Sequence, residues 1–375
     1  MLNRQIRLFA VMLTASVAAS AQAPTTLKDA YRGSFHVGVA INEAQITGTD
    51  ARGAAIVTTQ FDSISPENVL KWERIHPKPD TYTFELADKY VEFGEKNHMF
   101  IVGHNLVWHA QVPDWVFEDG QGKPLTREAL LKRMHDHIFA VVGRYKGRIQ
   151  SWDVVNEALN DDGTLRQSKW LKIIGEDYIE KAFEYAHEAD PQAELNYNDY
   201  SLENEAKRNG AITLIKKLQA KGISVAVVGI QGHDGLDWPS VEQEDASITV
   251  FARLGVKVAI TELDIDVLPP VPHQQSAEVS LSVKADPKLN PYANGLPDPV
   301  QKALAKRYAD LFGVYLKHRA EISRVTFWGV TDADSWRNNW PVKGRTSYPL
   351  LFDRNGQPKP AFDAVIRQAA STENR

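Results

Sequence analysis

Two apolar runs in this chain end in carboxylates. WDVVNEAL, residues 152–159, sets Asn156 and Glu157 directly after Val154 and Val155; VKVAITELDID, residues 256–266, sets Glu262 after Ile260, with Asp264 two residues on. Glu is rarely fully buried unless paired, and an unpartnered buried charge is costly. A carboxylate at the end of a buried strand therefore either turns to solvent or is held there for a purpose. Two such carboxylates facing each other suit cleavage of a glycosidic bond. One gives a proton to the leaving oxygen; the other, ionised, attacks the anomeric carbon or activates water. Mutual repulsion raises the proton affinity of one and divides the roles.

Further polar groups fit that chemistry. His233, in GIQGHDG, is placed to hydrogen-bond one carboxylate. Asp264 shares a strand face with Glu262 and is placed to orient His233. Asn156 offers both a donor and an acceptor to a sugar hydroxyl. Trp328, Trp336 and Trp340 cluster late in the chain, with Trp108 earlier, and Tyr200 follows Asn198 and Asp199. Flat rings of this kind suit the apolar faces of pyranoses.

The elements that would bring these residues together repeat one design: helix, Gly or Asn, apolar strand, polar cluster. Helical spacing covers 86–97, ending at Asn97 as a left-handed cap, 129–147, 204–222 with Asn204 as N-cap, and 247–255. A further helix is expected over 299–317. Strand patterns fall at 35–42, 60–65, 99–105, 149–156, 193–199, 223–231, 256–264 and 322–330. Several are near-continuous apolar runs, as strands buried on both faces must be. Alternating with helices, they predict an α/β fold, a (β/α)₈ TIM barrel forming one catalytic domain over 24–375. An open doubly wound sheet is the other α/β layout, but the chain lacks its glycine-rich phosphate loop. In a barrel the site lies at the C-terminal strand ends. Those ends collect Glu67 and Asn68, His104 and Asn105, Asn156 and Glu157, Asn198 to Tyr200, Gln231 with His233 and Asp234, Glu262 with Asp264, and Trp328. The irregular stretch 268–299 reads as a loop over that face.

Composition narrows the function. The chain has 375 residues, a net charge of −5 and no cysteine. Nothing favours a nucleic-acid partner, and disulfides, cysteine zinc sites and thiol nucleophiles are excluded. His104 and His109 raise a metal reading, but the strand ends carry no HxH pair, so both read as structural histidines and no metal or cofactor is expected. By spacing alone, Lys71 reads as a surface partner of Glu67 at i,i+4. Most of the nine tryptophans are expected in the core, with Trp72, Trp115, Trp152, Trp170 and Trp238 as core or rim. At the N-terminus, MLNRQIR, the apolar run LFAVMLTASVAAS and Ala21-Gln22-Ala23 form a signal peptide in outline, cleaved near Ala23. The run is shorter than the ~20 residues of a spanning helix. A secreted or periplasmic chain without a membrane anchor is expected, and it is read as a monomer.

PENVLKWE, GHNLVWHAQVPDW, RYKGRIQSWDVVNEAL, NYNDYSLE, GIQGHDG, ITELDID and FWGVTDADSW occur in that order. This series resembles glycoside hydrolase family 10, the endo-β-1,4-xylanases, over roughly 35 to 365. The resemblance implies a (β/α)₈ barrel that hydrolyses internal bonds of xylan with retention of configuration. It implies Glu157 as general acid/base and Glu262 as nucleophile, about 5–5.5 Å apart. Asn156 and His233 match residues that contact the reacting sugar and the nucleophile. Glu67, Asn68, Lys71, His104, Trp108 and Gln111 match the glycone side, which makes Lys71 a sugar ligand rather than a surface partner. Trp328 and Trp336 match the aromatic cage there, and Tyr200 the aglycone stacking position; Gln231 joins the substrate-binding set. Asp62, Leu70 and Ser201 depart from the family's usual Asn, Met and Asn. Activity on another β-1,4-glucan, or sugar binding without turnover, would leave the same strand-end pattern, and rates on xylan and soluble cellulose separate them.

Overall fold

The computed structural model describes residues 26–271, 279 and 282–372. The leader 1–23 lies outside the described residues, as do 272–278 of the loop. Among the described residues nine parallel strands follow one another: β1 (His36–Ile41), β2 (Ser63–Pro66), β3 (Phe100–Val107), β4 (Ser151–Asn156), β5 (Glu194–Asp199), β6 (Val227–Ile230), β7 (His233–Gly235), β8 (Lys257–Asp266) and β9 (Ile322–Phe327). Neighbours pair in sequence from β1 to β6, then β6 with β8, β8 with β9, and β9 with β1. That closes an eight-stranded barrel, with β7 a short continuation of β6 that pairs with β8 alone. Strands β2, β4 and β6 are buried along their whole length; β6 is an unbroken apolar run, as a strand covered on both faces should be, whereas β2 buries Ser63 and Ser65 and β4 buries Ser151, Asp153 and Asn156.

Three differences from the expected boundaries have a local cause. The sixth strand begins at Val227 rather than 223, because Ile223 still donates to Leu218 O of the preceding helix and pairing starts only once Ala226 reaches Leu195 O. The helix expected over 247–255 is Val241–Ala252, started early by a capping box of Ser240 and Gln243. The left-handed residue after the helix Glu85–Lys96 is His98, not Asn97, whose φ is −102°. Asn204 caps the helix Glu205–Ala220 as expected.

Bulges aim the strand ends. The register between β3 and β4 slips between His104 and Val107, that between β4 and β5 slips between Asp153 and Val155, and β8 slips against β9 between Ile260 and Leu263. Each slip precedes or contains a site residue, and a bulge rotates the side chains that follow it. Gly232, with φ +77°, makes the break between β6 and β7 that lets Gln231 and His233 both reach the barrel mouth. The described part of the long loop packs over that mouth. Tyr348 donates its hydroxyl to Tyr292 O at 2.7 Å, and Thr346 N donates to Asn290 Oδ1 at 3.0 Å. Among the described residues no helix is long and apolar enough to cross a membrane.

Candidate active site

Glu157 is the first residue beyond β4, and its φ of +56° is a conformation that a side chain adopts only under constraint. Two bonds hold it there: Glu157 N donates to Asn198 O at 2.9 Å, and Arg166 Nε donates to Glu157 O at 3.0 Å. The turn aims the carboxylate inward, where it is 4% exposed. Oε2 accepts from the Trp108 indole at 2.8 Å; Oε1 accepts from Gln231 Nε2 at 3.0 Å and Asn156 Nδ2 at 3.4 Å. His109 Nδ1 stands 3.9 Å away. Burial pushes this carboxyl above its usual range; His109 opposes that, the charge of Asp199 adds to it, and the bonds from Gln231 and Trp108 temper it.

Glu262 comes from the bulged end of β8 and is 5% exposed. Oε1 accepts from Asn198 Nδ2 at 2.9 Å, and Oε2 meets His233 Nε2 at 3.3 Å. Behind His233 stands Asp264, 3.0 Å from Nδ1, which also accepts from the Trp336 indole at 2.7 Å and from Arg337 Nε at 2.8 Å. Burial disfavours charge on His233, but Asp264 and Glu262 outweigh it and raise its pKa to about 9. Burial likewise opposes charge on Asp264, yet Arg337 and His233 bring it down to about 2. Near neutrality, then, an imidazolium donates one N–H to each carboxylate.

One amide chain joins the two carboxylates. Asn156 Oδ1 accepts from Asn198 Nδ2 at 2.9 Å and from Gln231 Nε2 at 3.3 Å, and those same amides serve Glu262 and Glu157 respectively. Gly229 leaves room for this: a Cβ there would stand 2.3 Å from Asn198 Oδ1.

On the β2–β3 flank, Lys71 is buried rather than at the surface, so the spacing-based pairing with Glu67 does not describe it. Its ammonium donates to Gln111 Oε1 at 2.8 Å and Asn68 Oδ1 at 3.1 Å and lies 5.1 Å from the Trp108 ring centroid. Burial lowers its pKa, against the opposing pull of Glu67, Glu262 and Glu157. Burial raises Glu67 in turn, against the pull of Lys71. His104 donates from Nδ1 to Asp153 at 2.9 Å and meets the Trp328 ring edge-on at 5.2 Å. Trp336 stacks on Trp340 at 4.4 Å. Across the barrel, Tyr200 is 2% exposed; its hydroxyl accepts from Arg166 at 2.7 Å and the Lys207 ammonium covers its ring at 3.2 Å. Tyr200 and His233 border a cleft of about 800 Å³.

The strand-end residues singled out in the sequence thus gather at one barrel mouth. Arg337, Arg166, Lys207, Asp153 and the proximity of His109 to Glu157 were not foreseen from sequence. Arg337 lies one residue after the expected Trp336, a signal that was available; Arg166 sits in a polar loop with no pattern to mark it. Asp62, one of the departures, pairs with His36 and lies away from the site.

The sequence profile described as glycosyl hydrolase family 10 matches residues 26–368. The chain belongs to that family. It is 47% identical over 351 residues to endo-1,4-beta-xylanase A of Xylanibacter ruminicola, covering 94% of this chain and 95% of that one. A beta-1,4-xylanase of Dictyoglomus thermophilum is 41% identical, covering 91% of this chain and 90% of that one. A family 10 endoxylanase from a sugarcane soil metagenome superposes with a TM-score of 0.89 at 49% identity, covering 91% of this chain and 99% of the other. The family 10 chain described here is a glycoside hydrolase with a (β/α)₈ barrel.

Proposed function

We propose that this family 10 hydrolase is a retaining endo-β-1,4-xylanase. The carrying observation is the pair of carboxylates joined through Gln231, Asn156 and Asn198, one amid neutral donors and one against a cation. Glu157, whose proton is held more tightly than usual, protonates the leaving oxygen. Glu262 attacks the anomeric carbon as that C–O bond breaks and forms a glycosyl ester. Glu157, now ionised, takes a proton from water, whose oxygen displaces Glu262 with a second inversion. Two inversions retain the β configuration, which requires the carboxyl groups to lie about 5–5.5 Å apart. Glu67, Asn68, Lys71, His104 and Gln111 hold the glycone sugars, with Trp108, Trp328 and Trp336 walling them. Tyr200 supports the aglycone. The names of the relatives support xylan as substrate.

Reducing-sugar release from arabinoxylan, with soluble cellulose and Glu262→Ala beside it, tests this reading. Release from xylan by the wild type alone, with the β-anomer appearing first by proton NMR, fits it. An α-anomer first, or equal rates on cellulose, contradicts it. The chain is taken to act as a monomer, which sedimentation checks. The leader pattern of 1–23 supports export to the periplasm or medium, and an exported protein that keeps Met1 would contradict cleavage near Ala23.

A further inference from the structure

Trp238 is a large aromatic side chain left open to solvent, at 39%. A tryptophan left in water forgoes apolar burial worth more than that of most residues, so its exposure calls for a reason. Chance mobility is not that reason, because the loop that carries it is tied down. Gly235 N donates to Trp238 O at 2.7 Å. Arg307 donates to Pro239 O at 2.6 Å and Gly235 O at 3.2 Å on either side, and pairs with Asp234 at 3.4 Å. Ser240 then opens the next helix through its capping box. The indole is thus presented on a fixed turn, as a preorganised contact would be.

Its position gives the occupant. Trp238 borders the same cleft as Tyr200 and His233, with Tyr292 and Trp340 also lining it. In barrel order, β2 and β3 lie on one side of β4, and β5 and β6 on the other. Asn68, Lys71 and His104 belong to the first side; Tyr200 and Trp238 belong to the second. A chain whose scissile bond lies at Glu157 and whose next sugar meets Tyr200 must continue along this cleft. We infer that Trp238 is a distal stacking platform for the reducing-end side of a xylan chain, beyond the sugar that meets Tyr200. This rests on the proposed xylanase reading and specifies the length of chain that the site grips. A pyranose with only ring hydrogens on its faces stacks on a flat indole, and the rigid turn limits the ordering cost.

The test compares two substrates on wild type, Trp238→Ala and Trp238→Phe. One is xylohexaose; the other is 4-nitrophenyl β-xylobioside, whose aryl group ends near the scissile bond and does not reach Trp238. Trp238→Ala should lower kcat/KM on xylohexaose about tenfold, the scale of one aromatic stacking contact, and change the aryl substrate less than twofold. Trp238→Phe should recover most of the loss. On xylohexaose labelled at its reducing end, Trp238→Ala should shift cleavage toward that end, since the chain is no longer gripped there. Equal losses on both substrates, or no loss and an unchanged cleavage pattern, would overturn the inference. A wild type inactive on both would instead refute the xylanase reading beneath it. The side chain is exposed, so an unchanged melting temperature should accompany the alanine variant and separates binding from folding.

Discussion

Glu157 sits among neutral donors, Trp108, Gln231 and Asn156, with His109 beyond hydrogen-bonding range, whereas Glu262 faces His233, which Asp264 and Arg337 back with full charges. Both carboxylates are buried to nearly the same degree. Burial alone would treat them alike. What separates them is the charge of the groups around them: dipoles compensate Glu157 only in part, while an imidazolium stands against Glu262. The barrel supplies equivalent strand ends, and the residues one or two positions away divide the roles.

Removing Glu262 should have the largest effect. Glu262→Ala leaves no nucleophile, and turnover on xylan should fall by roughly 10⁴-fold or more, as when a covalent nucleophile is deleted elsewhere. Stopped assays with a fresh, chromatographically separate preparation check this; residual activity above that level would place the attack on another group. Glu157→Ala comes next, and its signature is uneven. Loss on xylan should reach about 10²–10⁴-fold, the usual contribution of acid–base catalysis. Formation of the glycosyl ester from an aryl xyloside with a good leaving group should be nearly unchanged, measured as a burst of phenolate. Equal losses on both substrates would contradict the contrast between the surroundings of Glu157 and Glu262.

Much of this was legible in the sequence because barrel chemistry concentrates at strand ends, and strand ends are marked by an apolar run turning polar. Glu157, Glu262, His233 and Asp264 were found that way. Lys71 was not: its spacing suggests a surface pair, the family resemblance turns it into a sugar ligand, and the fold shows its ammonium drawn inward by Asn68 and Gln111. Arg166 acts on the backbone carbonyl of Glu157 and on the distant Tyr200, and Lys207 reaches the Tyr200 ring from the next helix; no local pattern encodes such contacts. The boundaries that failed, at Val227 and Val241, failed because a helix end and a capping box claimed residues of suitable pattern.

Asp264→Asn should weaken the contrast rather than abolish it. His233 keeps its proton up to about pH 9 because Asp264 and Glu262 outweigh burial. Without the Asp264 charge, burial prevails and the proton leaves at lower pH. At pH 7 kcat/KM should drop about 10²-fold, and the gap to wild type should narrow as pH falls from about 8 to about 5 and His233 is recharged. A constant gap across that range would mean that Asp264 acts through Trp336 or Arg337 instead. Stability follows the same sign. A histidine whose pKa rises on folding stabilises fully below about pH 6.5 and loses that contribution as pH climbs through about 9. Urea unfolding of wild type should show this loss, of the order of a few kcal/mol, and the Asp264→Asn variant should not.

Arg166 offers the smallest and most diagnostic change. Its Nε holds the carbonyl of Glu157 and its terminal nitrogen holds the hydroxyl of Tyr200, so one planar fork ties the acid to the aglycone platform. Glu157 occupies a left-handed conformation that costs of order 1 kcal/mol or more and persists only while its neighbours impose it. Arg166→Met keeps most of the apolar stem and removes both bonds. Stability should fall by about 1–2 kcal/mol, the worth of two partly buried hydrogen bonds. Activity on xylan should fall about tenfold, a loss of position rather than of chemistry. Arg166→Lys should not restore it, because one ammonium cannot span both acceptors in the fork's geometry. If Arg166 positions the acid, the loss on xylan exceeds that on an activated aryl xyloside. If it only braces the fold, both rates fall together with the melting temperature, and the turn at Glu157 holds without it.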